Sequence, residues 1–285
     1  MSRVLAVSNG PVGRACLLEK MRPAGAHAHR ENHVLIQIEG GHHDYHVGNE
    51  IAVLDPDHAV LVNSHELHSN LTVCERSIML MLYFSPEWIE TQFPALPAYV
   101  RFFPRSSVRL SPALRLQIEQ LARQMQSSED DQDEAVHHLF ESLAENLCHS
   151  YGPCFSTRQR PTRINDFRIR RAIALMRENL EEPLATGDLA SKVGLSRSRF
   201  FELFSACTGL SPKHYLNMIR LEMALQFLAD DPSPIAELSQ RCGFGAQSHF
   251  SKFFVDQQGF RPRDYRRVAL STTVTPRSLT DMKVS

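Results

Sequence analysis

The amino-acid sequence, 285 residues long, predicts an α+β protein with two domains. In residues 1–110, short apolar runs alternate with turn residues, which is typical of an antiparallel β-sandwich or barrel. From Ser111 onward the apolar residues recur every three or four positions instead, which indicates helices. A chain of this length also suffices for about two hydrophobic cores. We therefore expect a β-sandwich with an added helical hairpin, followed by an all-α domain.

Six apolar runs of the first domain are predicted strands. They cover residues 4–7, 16–18, 34–38, 51–54, 59–62 and 78–84. Turn signals such as Asn9-Gly10-Pro11 and Gly40-Gly41 separate them, because asparagine, glycine and proline fit the backbone angles of tight turns. Short connections of this kind join antiparallel neighbours, so the sequence predicts an antiparallel sheet structure over residues 1–110.

Two amphipathic helices are predicted in residues 111–150. The first begins at Ser111-Pro112, a favourable helix start. The apolar positions of the two helices are Leu114, Ile118, Leu121 and Met125 in the first, and Val136, Leu139, Phe140, Leu143 and Leu147 in the second. We expect these two helices to form a hairpin. Any apolar stripe that the hairpin leaves uncovered would suit a contact between the two copies of a homodimer. Residues 151–162 are predicted to form a linker.

The second domain is predicted over residues 163–270 as a series of helices with short breaks. The helices lie near residues 164–179, 186–193, 197–208, 212–229, 234–242, 246–257 and 262–268. The tail, residues 271–285, is rich in serine and threonine, and we expect it to be flexible.

The two halves of the chain carry opposite charge. Residues 1–156 contain 11 basic and 19 acidic side chains, a net charge of −8, although the whole chain has a formal charge of −1. Residues 157–285 contain 20 basic and 13 acidic side chains, a net charge of +7. This asymmetry indicates that the second half meets a polyanion.

Several functional classes find no support in the sequence. The longest apolar run, residues 78–84, is far shorter than the about 20 residues that cross a bilayer, and the N-terminus lacks the features of a signal peptide. We therefore expect a cytoplasmic protein without membrane contact. The patterns GxxxxGKS/T, GxGxxG and GxSxG do not occur, which argues against nucleotide-driven and serine-hydrolase chemistry. The six cysteines lack CxxC spacing, and we expect most of them to be buried thiols.

Residues 188–204 and 237–254 repeat one another. Each segment has a short helix, a glycine (Gly194 or Gly243) able to take the left-handed conformation that ends a helix, and a second helix. The second helices carry apolar residues one turn apart, namely Phe200, Leu203, Phe204 and Phe250, Phe253, Phe254. This pattern is typical of the helix-turn-helix, whose second helix enters the major groove of duplex DNA.

Residues 164–267 resemble the DNA-binding domain of the AraC/XylS family of bacterial transcription regulators. The matching residues are Ala190, Gly194, Leu195, Ser196, Phe200, Phe204, Gly209, Pro212, Tyr215, Arg220, Leu221, Ala224, Leu228, Ile235, Gly243, Phe244, Phe250, Phe253, Phe254, Gly259, Pro262, Tyr265 and Arg266. The resemblance implies two helix-turn-helix units joined by one long helix. Such units read successive major grooves, which are about 34 Å apart along one face of the DNA.

The outward faces of the two second helices contain the predicted DNA-contacting residues. They are Arg197, Ser198, Phe201 and Glu202 in the first unit, and Gln247, Ser248, Ser251 and Lys252 in the second. We expect Glu202 to accept a hydrogen bond from cytosine, Gln247 to pair with adenine, and Lys252 to contact guanine or phosphate. Phe201 would cover a thymine methyl group or, alternatively, join the core. His249 is expected to pack beside Phe250.

Nine of the 14 histidines lie between His27 and His68. Residues 23–33 resemble the first motif of the cupin family, a jelly-roll β-fold, with His27 and His29 as the HxH pair and His33 where the motif places a glutamate. Residues 60–70 resemble the second cupin motif, with His68 at its metal-binding histidine. The other histidines in loops or after glycine turns are expected to be exposed, namely His42, His43, His46 and His58.

The group of His27, His29, His33 and His68 has two interpretations. Three or four imidazoles suit a divalent metal such as zinc, iron, nickel or copper. Alternatively, the histidines line or border an organic-ligand pocket. The resemblance favours the second interpretation, because the sensor domains of this regulator family are cupin-like and commonly bind organic effectors.

The family resemblance implies a regulator of transcription and not an enzyme. It implies activation, with duplex DNA, a small-molecule effector and RNA polymerase as partners and a cupin-like first domain as the ligand sensor. The alternative is a metal-dependent cupin enzyme, a dioxygenase or isomerase, fused to a DNA-binding module. Substrate turnover would favour the enzyme, and DNA binding without turnover would favour the regulator.

Overall fold

The computed structural model describes residues 2–21, 23, 25–70, 76–94, 101–127, 132–153, 166–181 and 186–272. Residues 273–285 of the predicted tail and residues 154–162 of the predicted linker lie outside these ranges. Within them, the first half forms two β-sheets with helices on one face, and the second half is helical. The predicted α+β class with two domains is therefore confirmed.

The first half of the described chain contains nine strands in two antiparallel sheets. The strands are β1 (Arg3–Gly10), β2 (Gly13–Lys20), β3 (Asn32–Glu39), β4 (His43–Val47), β5 (Glu50–Leu54), β6 (His58–Val62), β7 (His68–Asn70), β8 (Ser77–Phe84) and β9 (Ser107–Arg109). One sheet has the order β1-β2-β8-β3-β6-β9 and the other β5-β4-β7. The sequence predicts six of these strands but misses β4, β7 and β9, because each is short and has few apolar residues.

Alternate residues of the larger sheet belong to different cores, because successive side chains of a strand point to opposite faces. On β2, Ala15 and Leu17 pack in a core that includes α2 and α3, described below. Cys16 and Leu18 pack instead with residues of β4 and β5. The larger sheet is therefore covered on both faces.

The described part of the first half has three helices after β8, namely α1 (Pro86–Gln92), α2 (Pro112–Gln124) and α3 (Gln132–Tyr151). The hydroxyl of Ser111 accepts a hydrogen bond from the amide of Leu114 and begins α2 where the sequence predicts. The apolar faces of α2 and α3 are buried against the larger sheet. Leu116 of α2, 62% exposed, points away from this core. The apolar stripe of α2 and α3, which was expected to suit a dimer contact, is thus largely buried against the larger sheet of the same chain.

Seven helices form the described part of the second half. They are α4 (Phe167–Glu178), α5 (Thr186–Lys192), α6 (Arg197–Thr208), α7 (Pro212–Asp230), α8 (Ile235–Arg241), α9 (Gln247–Gln258) and α10 (Pro262–Thr272). Each lies within a few residues of its predicted position. The hydroxyls of Ser196 and Ser211 cap α6 and α7, which explains why these two helices begin where they do.

The two halves share a hydrophobic core. Val4 and Val7 of β1 lie in the same buried cluster as Phe260 and Tyr265, which surround the start of α10. A separate cluster around α4, α5 and α6 includes Ala28 from the first half. The second half therefore packs on the sandwich. Among the described residues, the helices are too short or too polar to cross a bilayer.

Candidate functional sites

The first helix-turn-helix unit consists of α5 and α6 and is built around Phe200 and Phe204. Both rings are buried, with 5.4 Å between their centroids and an edge-to-face arrangement. Gly194, between the two helices, has a φ angle of +71°, which confirms its predicted left-handed conformation. The buried rings hold α6 so that its opposite side faces solvent.

The second unit consists of α8 and α9 and repeats this construction. Phe250 and Phe254 are buried, with 5.9 Å between ring centroids, and Gly243 has a φ angle of +76°. A Cβ on Gly243 would overlap the carbonyl oxygen of Leu180, so the turn requires glycine for space as well as for conformation. Ala246 gives α9 no side-chain cap. The first amide groups of α9 therefore have no side-chain acceptor from the cap residue.

The eight predicted DNA-contacting residues lie on α6 or α9, and most are exposed. The exposed ones are Arg197, Ser198, Glu202, Gln247, Ser248 and Lys252. Ser251 is half-buried, and so is Phe201, whose ring packs against the core of the first unit. The guanidinium carbon of Arg197 lies 5.9 Å from the centroid of the Phe201 ring. Phe201 thus has one side in the core and the other toward the predicted DNA face.

Sequence reasoning missed two exposed residues beside the predicted contacts. Arg199 Nη1 lies 3.4 Å from Glu202 Oε2, and the other carboxylate oxygen of Glu202 can still accept from cytosine. His249 is exposed, and the expectation that it packs beside Phe250 is wrong. Its position one helical turn before Lys252 was the available signal, because residues i and i+3 share a helix face.

Arg220 connects the long helix α7 to the turn of the second unit. It is half-buried, and its guanidinium carbon lies 5.3 Å from the centroid of the Phe244 ring. Burial lowers the pKa of Arg220. These contacts give Arg220 a structural role at the turn that follows α8.

Three buried imidazoles of the first domain lie together. His27 and His29 precede β3, and His68 begins β7. Hydrogen bonds of 3.0 Å and 2.9 Å join the backbones of His27 and His68. The ring centroids of His27 and His68 are 4.2 Å apart, those of His29 and His68 5.1 Å apart. One ring nitrogen from each histidine lies within 4.8 Å of the other two.

Backbone carbonyl groups orient all three rings. The Nδ1 atoms of His27, His29 and His68 lie 2.8, 3.0 and 2.9 Å from the carbonyl oxygens of Gly25, Glu31 and Glu66. Because a carbonyl oxygen only accepts, each Nδ1 must donate its proton, and each Nε2 keeps a lone pair. Burial lowers the pKa of His27 to about 4 and those of His29 and His68 well below the usual range. The three rings are therefore neutral at pH 7.

His33, the fourth predicted residue, borders this group without joining it. It is fully buried on β3 opposite Tyr83 of β8, and the two rings stack with 5.1 Å between centroids. Its ring centroid is 4.3 Å from that of His29. Burial lowers the pKa of His33. Among the residues that the structure describes, the group of three ligand atoms comes from His27, His29 and His68.

The other histidines differ in burial. His42 and His46 are exposed and His58 is partly exposed. The prediction that His43 is exposed is wrong, because it is 2% exposed and its Nε2 lies 2.6 Å from Ser77 Oγ. The cause is strand alternation on β4, which directs residues 43, 45 and 47 inward.

A narrow cavity adjoins the histidine group. The cavity has about 450 Å³ of empty space if its mouth is included. Its interior has room for little more than one water-sized group. The lining residues are Ser2, Leu18, Lys20, His27, Leu35, Tyr45, His68, Asn70, Met81, Tyr83, Gln257 and Gln258. Lys20 Nζ donates a hydrogen bond of 3.1 Å to Tyr45 Oη, and burial lowers the pKa of Lys20 to about 7.

The second half contacts the surroundings of this cavity directly. Gln257 and Gln258, in the cavity wall, are the last residues of α9. The amide of Arg30 donates a hydrogen bond of 3.0 Å to Glu222 Oε1 on α7. Burial raises the pKa of Glu222 to about 7. The histidine region and both helix-turn-helix units are therefore connected through α7 and α9.

Comparisons with known proteins assign both halves of the chain. Residues 189–268 match a helix-turn-helix domain family, and residues 19–144 match the AraC-like ligand binding domain family. The transcriptional activator RhaS of Citrobacter koseri is 25% identical over 246 residues, which cover 84% of this chain and 86% of RhaS. The regulator GbdR of Pseudomonas aeruginosa is 37% identical over 103 residues, which cover 36% of this chain and only 28% of GbdR.

The fold also resembles a solved structure over nearly its whole length. An apo variant of ToxT from Vibrio cholerae superposes with a TM-score of 0.57 at 11% sequence identity. The similarity covers 92% of this chain and 99% of that one. It supports the arrangement of a sheet-rich domain before a helical one.

Proposed function

Because this chain belongs to the AraC family of transcription regulators, we propose that it binds specific duplex DNA under the control of a small ligand in its first domain. The observation that carries this proposal is the pair of helix-turn-helix units on either side of α7. Each unit presents exposed polar residues on its second helix. A regulator needs such a reading surface together with a separate ligand site.

The DNA surface divides into base-reading and phosphate-binding residues. Glu202 and Gln247 carry acceptor and donor groups that suit base edges. Lys252 and the uncapped amide groups at the start of α9 suit phosphate oxygens. Arg199 and His249 extend this surface, because both are exposed beside the predicted contacts.

Ligand control follows from the packing between the halves. A ligand that moves the loops around His27 and His68 changes the wall of the cavity. The same wall contains Gln257 and Gln258 of α9, so the change reaches the second half. Only a ligand with different affinities for two arrangements of the protein can shift DNA binding. The cavity wall contains residues from both halves, so a change in how the halves pack would change the ligand's affinity.

Activation is the direction of regulation that we propose, with RNA polymerase as a protein partner, in view of the similarity to the activator RhaS. We also propose a homodimer that uses the outer face of α2 near the exposed Leu116. A bacterial regulator acts where the chromosome lies, so we propose a cytoplasmic location. The comparisons favour this regulator over a cupin enzyme fused to a DNA-binding module, since both halves match regulator families.

Selection of duplex sites from a random pool by the full chain tests the proposal. We expect one enriched sequence, bound about 10³-fold or more tightly than unrelated DNA at physiological salt. Affinity should fall steeply with added salt, because each phosphate contact releases counterions. The variant Gln247→Ala/Lys252→Ala should bind the enriched sequence about 10-fold or more weakly and with relaxed preference at one position, and Arg123→Ala on α2 is the matched control that binds as the wild type does. Absence of an enriched sequence for the wild-type chain would refute the proposal.

A further inference from the structure

We propose that the Nε2 atoms of His27, His29 and His68 bind one divalent transition-metal ion, and that this ion is the effector of the regulator. The inference rests on the proposed function and names the chemical class of its ligand. It departs from the organic effector that the family resemblance favours, and three features of the site carry it.

The first feature is the direction of the lone pairs. Each Nδ1 donates to a backbone carbonyl oxygen, so Nε2 carries the lone pair that can bind a metal on each of the three rings. One nitrogen from each ring lies within 4.8 Å of the others, and His29 Nε2 has no hydrogen-bond partner among the described residues. Buried acceptors without a donor are costly. A cation between the three nitrogens would satisfy them together.

The second feature is the hydrogen bond that the Nδ1 of each ring donates. Histidines that bind metals almost always donate their other ring N–H to a carbonyl or carboxylate oxygen, which fixes the ring and strengthens the ligand. All three histidines have this arrangement. In addition, Glu31 Oε2 lies 3.5 Å from His29 Nδ1 and brings a negative charge close to the site. Neutral imidazoles select zinc, nickel, cobalt or copper over magnesium and calcium, which prefer oxygen ligands.

The third feature is size. The interior of the cavity beside His27 and His68 has room for about one water-sized group, which is the size of a single ion. Ligand nitrogens around one zinc ion lie roughly 3.3 Å apart, given bonds of about 2.0–2.1 Å. The three nitrogens lie within 4.8 Å of one another, so any separation above about 3.3 Å would close on binding and draw the rings together.

That contraction would reach the DNA-binding half along short connections. The amide of His65 donates a hydrogen bond of 2.8 Å to the carbonyl oxygen of His29, and the Nδ1 of His65 lies 3.3 Å from the sulfur of Met218 on α7. On the other side of the site, the amide of Gly25 donates a hydrogen bond of 3.3 Å to the carbonyl oxygen of Asp256 on α9. Closure of the rings on an ion therefore acts on α7 and α9.

The test uses the full chain without a polyhistidine tag, stripped with a chelator and then equilibrated with zinc, nickel, cobalt or copper ions. Elemental analysis should find about one equivalent of at least one of these ions in the wild-type chain. His27→Ala/His68→Ala should retain less than a tenth of an equivalent. His42→Ala/His46→Ala, two exposed histidines on or beside β4, is the matched control and should bind as the wild type does.

Two further measurements make every outcome decisive. Circular dichroism of the chelator-treated variants shows whether they fold, and His68→Gln, which keeps the volume of the side chain, replaces the double variant if that one unfolds. The bound ion should change the affinity of the wild-type chain for its DNA site at least about 5-fold. Unchanged DNA affinity despite one bound equivalent, or no bound ion in a chain that still binds its site, would overturn the inference while the proposed function stands. If the wild-type chain selects no DNA site, the proposed function is refuted, whatever the metal content of the chain.

Discussion

The imidazole of His65 stacks on the phenol ring of Tyr215, with 5.4 Å between the ring centroids and 11° between the ring planes. His65 belongs to the first domain, and Tyr215 lies on α7 between the two helix-turn-helix units. His65 has a φ angle of +62°, which is uncommon for a residue with a side chain. Its amide is bonded to the carbonyl oxygen of His29. The segment that carries His29 therefore helps to place the His65 ring on α7.

His65→Ala should uncouple ligand binding from DNA binding, because it removes the ring that contacts α7. With zinc as the probe, we expect the ratio of DNA affinities with and without the ion to fall about 5-fold toward one, at unchanged zinc content. Fluorescence anisotropy of labelled DNA measures this ratio. His46→Ala, an exposed histidine on β4, is the control. An undiminished ratio in His65→Ala would show that the signal takes another route.

Gln247→Ala should relax sequence preference at one position of the DNA site, with a loss of about 1–3 kcal/mol against the preferred base. Glu202→Ala should do the same at a position read by α6. Site selection followed by affinity measurement on single-base variants detects this change. Gln226→Ala, an exposed glutamine on α7, is the matched control. If neither variant alters the selected sequence, these two residues are not base readers.

Lys252→Ala should weaken binding to all sequences about equally, because a phosphate contact does not depend on the base. We expect the slope of log affinity against log salt concentration to fall by about one unit. Titrations at several salt concentrations measure the slope. A loss confined to sites with one particular base would instead identify Lys252 as a guanine reader.

Gly243→Ala should destabilise the second unit far more than Gly194→Ala destabilises the first. Both glycines have left-handed backbone angles, so either substitution costs about 1–2 kcal/mol of conformational energy. At Gly243 the new Cβ would also overlap the carbonyl oxygen of Leu180, whereas at Gly194 it would meet no described atom within 4 Å. Urea unfolding of the two variants measures the difference. Equal losses of stability would contradict the steric argument.

Lys20→Met should stabilise the fold at neutral pH and remove part of its pH dependence. Burial lowers the pKa of Lys20 from 10.5 to about 7 in the folded chain. Between these values the unfolded chain holds a proton that the folded chain lacks, so the free energy of unfolding rises with pH by about 1.4 kcal/mol per unit. Below about pH 7 the full penalty of burying the charge is present. Thermal unfolding of both proteins between pH 7 and 8.5 should therefore show a steeper rise for the wild type.

The helices of the second half are predictable because their boundaries depend on nearby residues. Ser211 caps α7 through its own hydroxyl, Pro212 follows in the first turn, and Gly194 ends a helix through its own backbone angles. None of these signals depends on a distant part of the chain. The strands are predictable to a smaller extent. The sequence does not predict β4, because the burial of this strand depends on its pairing with β5 and β7, which are separate segments of the chain.

The candidate sites differ in the same way. The outward residues of α6 and α9 follow from helical periodicity, and most of them are exposed. The spacing of His27 and His29 predicts that they share a face, whereas His68 was predicted to join them from the resemblance to the second cupin motif and not from spacing. The contact of His65 with α7 was also beyond prediction, because it joins residues that are 150 positions apart.

By itself, the sequence determined the order of the two domains, the helix-turn-helix repeats and the residues that can contact DNA, because local periodicity, caps and glycine turns specify these features. The tertiary structure alone decided which nitrogen of each clustered histidine keeps its lone pair, and that α7 and α9 pack against the histidine region. Both depend on contacts between segments far apart in the chain. The physical reason is that a ring's hydrogen bonds and neighbours exist only once distant backbone segments have come together.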